Sequence, residues 1–131
     1  MFAQDALLLS VIPHMHLRGK SFQYDLEYPD GTQETVLRVP RWDFNWQDYY
    51  VYREPFKLPK GTKLFLEAGF DNSSDNPLNP SKPPKQVTWG EGTSDEMALC
   101  IFEVTCDNVL DLLKLIGDDL KQRQILERAK K

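Results

Sequence analysis

The sequence predicts an all-β domain, a sandwich or jelly roll, followed by one C-terminal amphipathic helix. Short apolar runs, several of them alternating with polar residues, recur along the first 106 residues. Clusters of Gly, Pro, Asn and Asp separate these runs at regular spacing, which is typical of β-sandwiches. From residue 107 onward the apolar residues follow a 3.6-residue period instead, which predicts a helix. We therefore divide the chain into a β-domain over residues 1–106 and a helix with a charged tail over residues 107–131.

Each predicted strand ends at a turn or loop. The sequence Pro29-Asp30-Gly31 marks a hairpin between the second and third strands, because Asp and Gly suit tight turns. An aromatic-rich segment over residues 40–47 and a segment rich in Asn, Asp and Pro over residues 71–84 are predicted loops. The predicted strands cover residues 6–12, 21–28, 33–39, 49–56, 63–70 and 97–105, with a further short extended segment over residues 85–89.

The C-terminal helix is predicted over residues 108–128. Asp107 or Asn108 can cap its start. Its apolar stripe is formed by Val109, Leu112, Leu113, Ile116 and Leu120, and Gly117 weakens its middle. We expect this helix to pack on the sandwich or on a neighbouring domain.

Composition is that of an ordinary globular domain. The chain has 131 residues, of which 40% are hydrophobic and 27% charged, with a net charge of −4. The acidic balance and the lack of a basic stripe argue against nucleic acid as a partner. No apolar run approaches the ~20 residues of a membrane span. The N-terminus lacks the charged region of a signal peptide, so the sequence is expected to be cytosolic or a fragment of an exported protein.

Two cysteines, Cys100 and Cys106, fall in or beside the last predicted strand. If that strand is extended, they lie about 20 Å apart along it and cannot form a disulfide with each other. We expect buried free thiols, which do not identify the redox compartment.

Both histidines of the chain lie in one short stretch, Ile12-Pro13-His14-Met15-His16-Leu17-Arg18-Gly19. On an extended strand, residues two apart face the same way, at roughly 6.5–7 Å. His14 and His16 would then point together, with Met15 on the opposite face. Two converging imidazoles form half of a metal site, although two unrelated surface histidines would produce the same short pattern.

A third ligand must come from elsewhere in the chain. The candidates precede the last strand: Glu91, Asp95, Glu96 and Met97. Two imidazoles with a carboxylate suit zinc or non-haem iron, whereas two imidazoles with a thioether suit copper as Cu(I). The residue types alone leave both choices open, and Met97 could equally fill a hydrophobic core.

The motifs HMHLRGKSF (residues 14–22) and WGEGTSDEM (residues 89–97) together resemble the C-terminal domain of the copper type II, ascorbate-dependent monooxygenases, which include peptidylglycine α-hydroxylating and dopamine β-monooxygenases. The likeness covers roughly residues 6–106. It implies an antiparallel jelly-roll β-sandwich with one copper ion, bound by His14, His16 and Met97, at which O2 is activated.

The chain departs from that family in ways that bear on substrate and electron supply. The peptide-amidating members hold the substrate carboxylate with an arginine, an asparagine and a tyrosine, where this sequence has Ile12, Leu99 and Ile101. A peptidylglycine substrate is therefore not expected. The family cysteine after the methionine is Ala98 here, and no histidines are left for a second copper domain. The closer likeness is to bacterial proteins that append this domain to redox or cytochrome-like modules.

The resemblance implies hydroxylation of a C–H bond in a small-molecule or peptide substrate, using O2 and an external electron donor. The donor would be a second domain, a cytochrome-like partner, or a reductant such as ascorbate. The parent protein would be periplasmic or extracellular. Asp95 and Glu96 are candidates to orient the imidazoles, and the aromatic residues Trp42, Phe44, Trp46 and Trp89 are candidates for the pocket lining or for core packing.

Two other classes of function stay open. One is a non-catalytic copper-binding, electron-transfer or interaction module within a larger redox protein. The other is a β-sandwich without metal, for which both motifs would be coincidental. No Gly-rich phosphate loop, serine nucleophile motif or Cys-x-x-Cys occurs in the sequence.

Overall fold

A computed structural model describes residues 1–115 as a sandwich of two antiparallel three-stranded sheets. The all-β, two-sheet architecture predicted from the sequence is thereby confirmed, with six strands where a full jelly roll has eight. The strands are β1 (Ala6–Met15), β2 (Gly19–Glu27), β3 (Gln33–Val39), β4 (Tyr50–Leu58), β5 (Lys63–Phe70) and β6 (Ala98–Thr105).

The first sheet has the order β4-β1-β6, so β1 is its central strand. Along β6 the register pairs Ile12 with Ile101 and His14 with Leu99. A bulge between Leu8 and Ser10 shifts the pairing on both sides of β1. His14 lies at the end of this central strand.

The second sheet has the order β3-β2-β5. The predicted hairpin joins β2 to β3: the Thr32 carbonyl oxygen accepts from the Tyr28 N–H at 2.8 Å, and the Asp30 carboxylate accepts from the Thr32 N–H at 2.9 Å. The second contact is an Asx turn, in which an aspartate side chain replaces a backbone acceptor.

The hydrophobic core lies between the inner faces of the central strands. Leu8, Val11 and Met15 of β1 are fully buried, and the buried side chains of β2 are Phe22, Tyr24 and Leu26. Burying each such side chain stabilises the fold by about 1.5–3 kcal/mol. Met15 belongs to this core, which agrees with the prediction that it faces away from the histidines.

Two predicted features differ from, or extend beyond, what the structure describes. The segment over residues 85–89 forms no strand and makes only a parallel bridge between Trp89 and Glu96. The C-terminal helix begins at residue 109 and is described to residue 115, so the remainder of the predicted helix, including Ile116, Gly117 and Leu120, lies outside the described residues. Within residues 1–115, no helix is long and apolar enough to cross a membrane.

Candidate metal centre

The two histidines converge, as the spacing predicted. His14 lies in β1, and His16 is the first residue after its end. Their ring centroids are 5.4 Å apart, and the ring planes are perpendicular. Two imidazole nitrogens that each lie ~2.0–2.1 Å from one ion, at a roughly tetrahedral angle, place their ring centroids about 5 Å apart. The observed separation therefore suits a shared metal ion.

Met97 lies directly opposite His16 at the end of the first sheet. The pairs His14–Leu99 and Met15–Ala98 belong to the ladder between β1 and β6. One step further, the His16 N–H donates to the Met97 carbonyl oxygen at 3.2 Å. Residues directly opposite on antiparallel strands project to the same face. The register thus brings Met97 to the face that carries both histidines.

Met97 is not part of the main hydrophobic core. Its side chain is buried, with 9% of its surface exposed, but it is absent from the cluster that fills the sandwich. A methionine in a β-protein is usually core filler. Met97 is instead buried outside that cluster, at the position whose backbone pairs with His16.

Gln47 sets the tautomer of His14. Its side-chain amide nitrogen donates to the Phe44 carbonyl oxygen at 2.9 Å, so its oxygen is the atom that faces His14 Nδ1 at 2.7 Å. An amide oxygen only accepts, and therefore His14 Nδ1 carries the proton. The lone pair of His14 Nε2 is left available, which is the arrangement that a hydrogen bond from the other ring nitrogen gives to metal-binding histidines.

His16 has a buried nitrogen without a hydrogen bond. Only 4% of the residue is exposed, and within residues 1–115 its Nδ1 has no hydrogen-bond partner. A buried polar group left unpaired costs about 1–3 kcal/mol. A metal ion that binds the lone pair of this nitrogen would remove that cost. The unpaired His16 Nδ1 is therefore suited to act as a metal ligand.

The acidic alternatives do not assemble with the histidines. Among the described residues, no group of three or more His, Cys, Asp or Glu side chains is arranged to hold a metal ion. The Asp95 carboxylate accepts from the Gly92 N–H at 3.2 Å and so stabilises its own turn. Glu91 is exposed. No carboxylate thus joins the two imidazoles among the described residues, and the side chain that orients His14 is Gln47 rather than Asp95 or Glu96.

The surroundings of the site are apolar. Ile12 and Leu99 flank His14 on the outer face of the sheet, and Ile101 lies opposite Ile12. Leu99 and Ile101 are 40% and 41% exposed. The resemblance led us to expect that Ile12, Leu99 and Ile101 replace polar substrate anchors, and this expectation of a different substrate stays a prediction.

The four candidate aromatic residues separate into two groups. Trp42 is buried in the core, where its indole N–H donates to the Pro13 carbonyl oxygen at 3.1 Å, and Phe44 packs against that core. Trp46 and Trp89 are exposed to 70% and 63%. Core packing therefore accounts for the first two, whereas the last two are available to a ligand or partner.

Both cysteines are free, as predicted, but each is only partly buried, so the expectation of buried thiols was wrong. Burial raises the pKa of the Cys100 thiol to about 11. The pKa of Cys106 is also raised, first by burial and then by the nearby carboxylates of Asp111 and Asp107. Both shifts disfavour the thiolate form of these cysteines at neutral pH.

Comparison with protein-family models, curated proteins and solved structures found no match to this chain. The interpretation of the site consequently depends on its own geometry and on the two motifs.

Proposed function

We propose that this domain binds one copper ion through His14, His16 and Met97 and acts as the oxygen-activating half of a copper monooxygenase. The observation that carries the proposal is the hydrogen bond between His16 and Met97 at the end of the β1–β6 ladder. This hydrogen bond joins the motif of residues 14–22 to the motif of residues 89–97. His14, two residues before His16, projects from the same face of the sheet as His16.

The donor set favours copper over other metals. Thioether sulfur is a soft ligand that stabilises Cu(I), whereas zinc and non-haem iron sites complete a histidine pair with carboxylate, thiolate or further imidazole. Within residues 1–115, no such third group joins the histidines. Cu(I) is the oxidation state that reacts with O2, so a thioether ligand is consistent with oxygen activation.

The chain's own residues have separable tasks in this proposal. Gln47 holds His14 in the tautomer that presents Nε2, and the strand pairing keeps Met97 beside His16. Leu99 and Ile101 offer an apolar surface beside the site for an uncharged part of a substrate. When bound, copper would supply one-electron chemistry with O2 for hydroxylation of a C–H bond.

Electron balance requires a partner. Hydroxylation by O2 places one oxygen atom in the product and reduces the other to water, which takes two electrons beyond those of the C–H bond. A single Cu(I) supplies one. The second must come from another domain, a cytochrome-like partner, or a small reductant such as ascorbate, in a periplasmic or extracellular parent protein.

A second candidate function is a non-catalytic copper or electron-transfer module. The observation that favours it is the exposed apolar surface continuous with the site, to which Val51 adds a side chain that is 67% exposed. Such a surface suits docking of a redox partner close to the metal. This module would exchange electrons through the same ligands without consuming O2.

The first test is a titration of Cu(I) against a colorimetric competitor, with His14→Ala and Met97→Leu as variants. Leucine conserves the volume of methionine and removes only the sulfur. We expect one tight equivalent for the wild type and affinity at least about tenfold weaker in both variants. The proposed copper site would be overturned if the wild type bound no Cu(I) tightly. It would also be overturned if Met97→Leu bound Cu(I) as tightly as the wild type does.

A second measurement separates the two candidates. O2 consumption is measured with ascorbate and the copper-loaded wild type. The control is His14→Ala with the same total copper, which reports the O2 uptake caused by loosely bound or free copper. Uptake above that control supports the oxygen-activating function. A site that binds and releases an electron reversibly with no uptake above the control supports the electron-transfer module.

A further inference from the structure

Arg18 is a buried arginine two residues beyond His16. It is 1% exposed and belongs to the largest fully buried side chains of the domain. Within residues 1–115, no carboxylate forms an ion pair with it. Removing a guanidinium from water is costly, and such groups are usually paired. An arginine kept in this position therefore has a task that a hydrophobic residue of similar size could not perform.

The hydrogen bonds of Arg18 join two loops to the histidine turn, residues 16–19, which the Gly19 N–H closes on the His16 carbonyl oxygen. Its Nε donates to the side-chain oxygen of Asn72 at 2.9 Å, and its Nη1 donates to the backbone carbonyl oxygen of Ser94. Asn72 is itself fixed, since its amide donates to the Lys85 carbonyl oxygen and its oxygen also accepts from Asn79. Asn72 thus fixes the guanidinium on one side. On its other side the guanidinium binds the Ser94 carbonyl oxygen.

The segment 93–97, which ends at Met97, is attached to the histidine turn by three consecutive residues. The His16 N–H donates to Met97, and the Leu17 N–H donates to the Thr93 carbonyl oxygen at 3.4 Å. The Arg18 contact with Ser94 is the third and the only one of these that is charge-assisted, which makes it the strongest kind. Its donor is almost fully buried, whereas Ser94 itself is exposed.

We infer that Arg18 is a positioning residue for the copper ligand Met97. By holding Ser94, the guanidinium keeps segment 93–97 against the histidine turn and so keeps the thioether beside the two imidazoles. This inference rests on the proposed copper site and adds to it a residue that touches no ligand atom. A purely structural arginine would instead affect the stability of the fold without a specific effect on the sulfur ligand.

The test combines Arg18 and Met97 variants in Cu(I) titrations. Arg18→Lys retains the charge but lacks the planar fork that reaches two acceptors, and Arg18→Met removes both hydrogen bonds. Arg38→Met is the control, because it removes a positive charge at an exposed position of β3, in the other sheet. We expect affinity to fall about tenfold or more in both Arg18 variants and to be unchanged in the control, as is typical of residues that support metal ligands.

The double variant supplies the decisive comparison. If Arg18 acts through Met97, Arg18→Lys has no further effect on affinity in the Met97→Leu background, and X-ray absorption shows loss of the sulfur ligand in Arg18→Lys alone. Equal losses in both backgrounds, or wild-type affinity in Arg18→Lys, would overturn the inference. Should Arg18→Met fail to fold, Arg18→Lys decides the question. Absence of tight copper binding by the wild type would overturn the proposed function, and this inference with it.

Discussion

His16 and Met97, far apart in the sequence, are joined by a backbone hydrogen bond of 3.2 Å. This contact extends the β1–β6 ladder by one residue beyond β1. The proposed sulfur ligand thus lies one residue before β6, where the strand ladder and the Arg18 contact with Ser94 both hold the chain. Sites carried by regular elements are held more accurately than sites on loops.

The first prediction concerns Gln47, which accepts the His14 Nδ1 proton. Gln47→Ala removes that acceptor, so the imidazole loses both its orientation and its preferred tautomer. We expect Cu(I) affinity to fall about tenfold or more, measured by competition with a colorimetric chelator. Gln23→Ala is the control, because Gln23 lies on β2 in the other sheet. Wild-type affinity in Gln47→Ala would show that the hydrogen bond does not support a ligand.

The sequence could predict most strands because their signals are local. Alternation and turn residues such as Pro29-Asp30-Gly31 act over a few positions, and all six strands lie close to where they were predicted. The segment over residues 85–89, predicted as a short extended stretch, forms no strand and pairs only through the bridge of Trp89 with Glu96. Prediction of the β1 boundary stopped at residue 12 because Pro13 interrupts the apolar run, although the ladder continues to Met15.

The site was predictable only in part. The H-x-H spacing and the motif ending at Met97 identify three residues that the register does bring to one face. Gln47 and Arg18 were missed as supporting residues, because their roles depend on tertiary contacts with His14 and Ser94. No local sequence pattern identifies Gln47. The only local signal for Arg18 is that it lies two residues after His16.

The second prediction concerns Gly19, the first residue of β2 and the end of the histidine turn. A Cβ atom there would lie 2.7 Å from the Trp42 ring and 2.9 Å from the Met15 Cβ. Both neighbours are core residues that cannot move freely. We expect Gly19→Ala to lower the free energy of unfolding by about 1–3 kcal/mol in urea titrations.

A double variant checks that the cause is steric. In a Trp42→Leu background, the ring that meets the new Cβ is absent, so Gly19→Ala should cost clearly less than it does in the wild type. An equal cost in both backgrounds would place the conflict elsewhere.

The third prediction compares two tyrosines. Within residues 1–115, the buried Tyr52 hydroxyl has no hydrogen-bond partner, whereas the Tyr24 hydroxyl donates to the Ile12 carbonyl oxygen at 2.8 Å. Removing an unpaired buried hydroxyl costs nothing and can stabilise, but removing a paired one loses about 1 kcal/mol. We expect Tyr52→Phe to leave the free energy of unfolding unchanged or raised, and Tyr24→Phe to lower it. The reverse order would contradict the hydrogen bonding described.

The fourth prediction is loss of stability at alkaline pH. Burial raises the pKa of Tyr52 to about 12 and raises that of Tyr24 further, against about 10 in an unfolded chain. Because both pKa values are higher in the folded state, the stability that the two neutral tyrosines contribute is complete below about pH 10. It is lost as the pH rises through 12. Urea titrations across this range, with tyrosinate absorbance followed in parallel, should show Tyr24 ionising only as the protein unfolds. Ionisation of all tyrosines near pH 10 in the folded protein would contradict it.

The fifth prediction concerns the reactivity of Cys100. With a pKa of about 11, this thiol is ~0.1% thiolate at pH 8, whereas an unfolded cysteine with a pKa near 8.5 is roughly a quarter thiolate. In a Cys106→Ser variant, alkylation of Cys100 by iodoacetamide at pH 8 should therefore be roughly 100-fold slower in the folded protein than in urea, and should accelerate as pH approaches 11. Because Cys100 pairs with Pro13 across β1 and β6, fast labelling at pH 8 would mean that these strands separate beside the site. Slow labelling in the apo-protein would instead show that the ladder carrying His14 and the Met97 contact is closed before any metal binds.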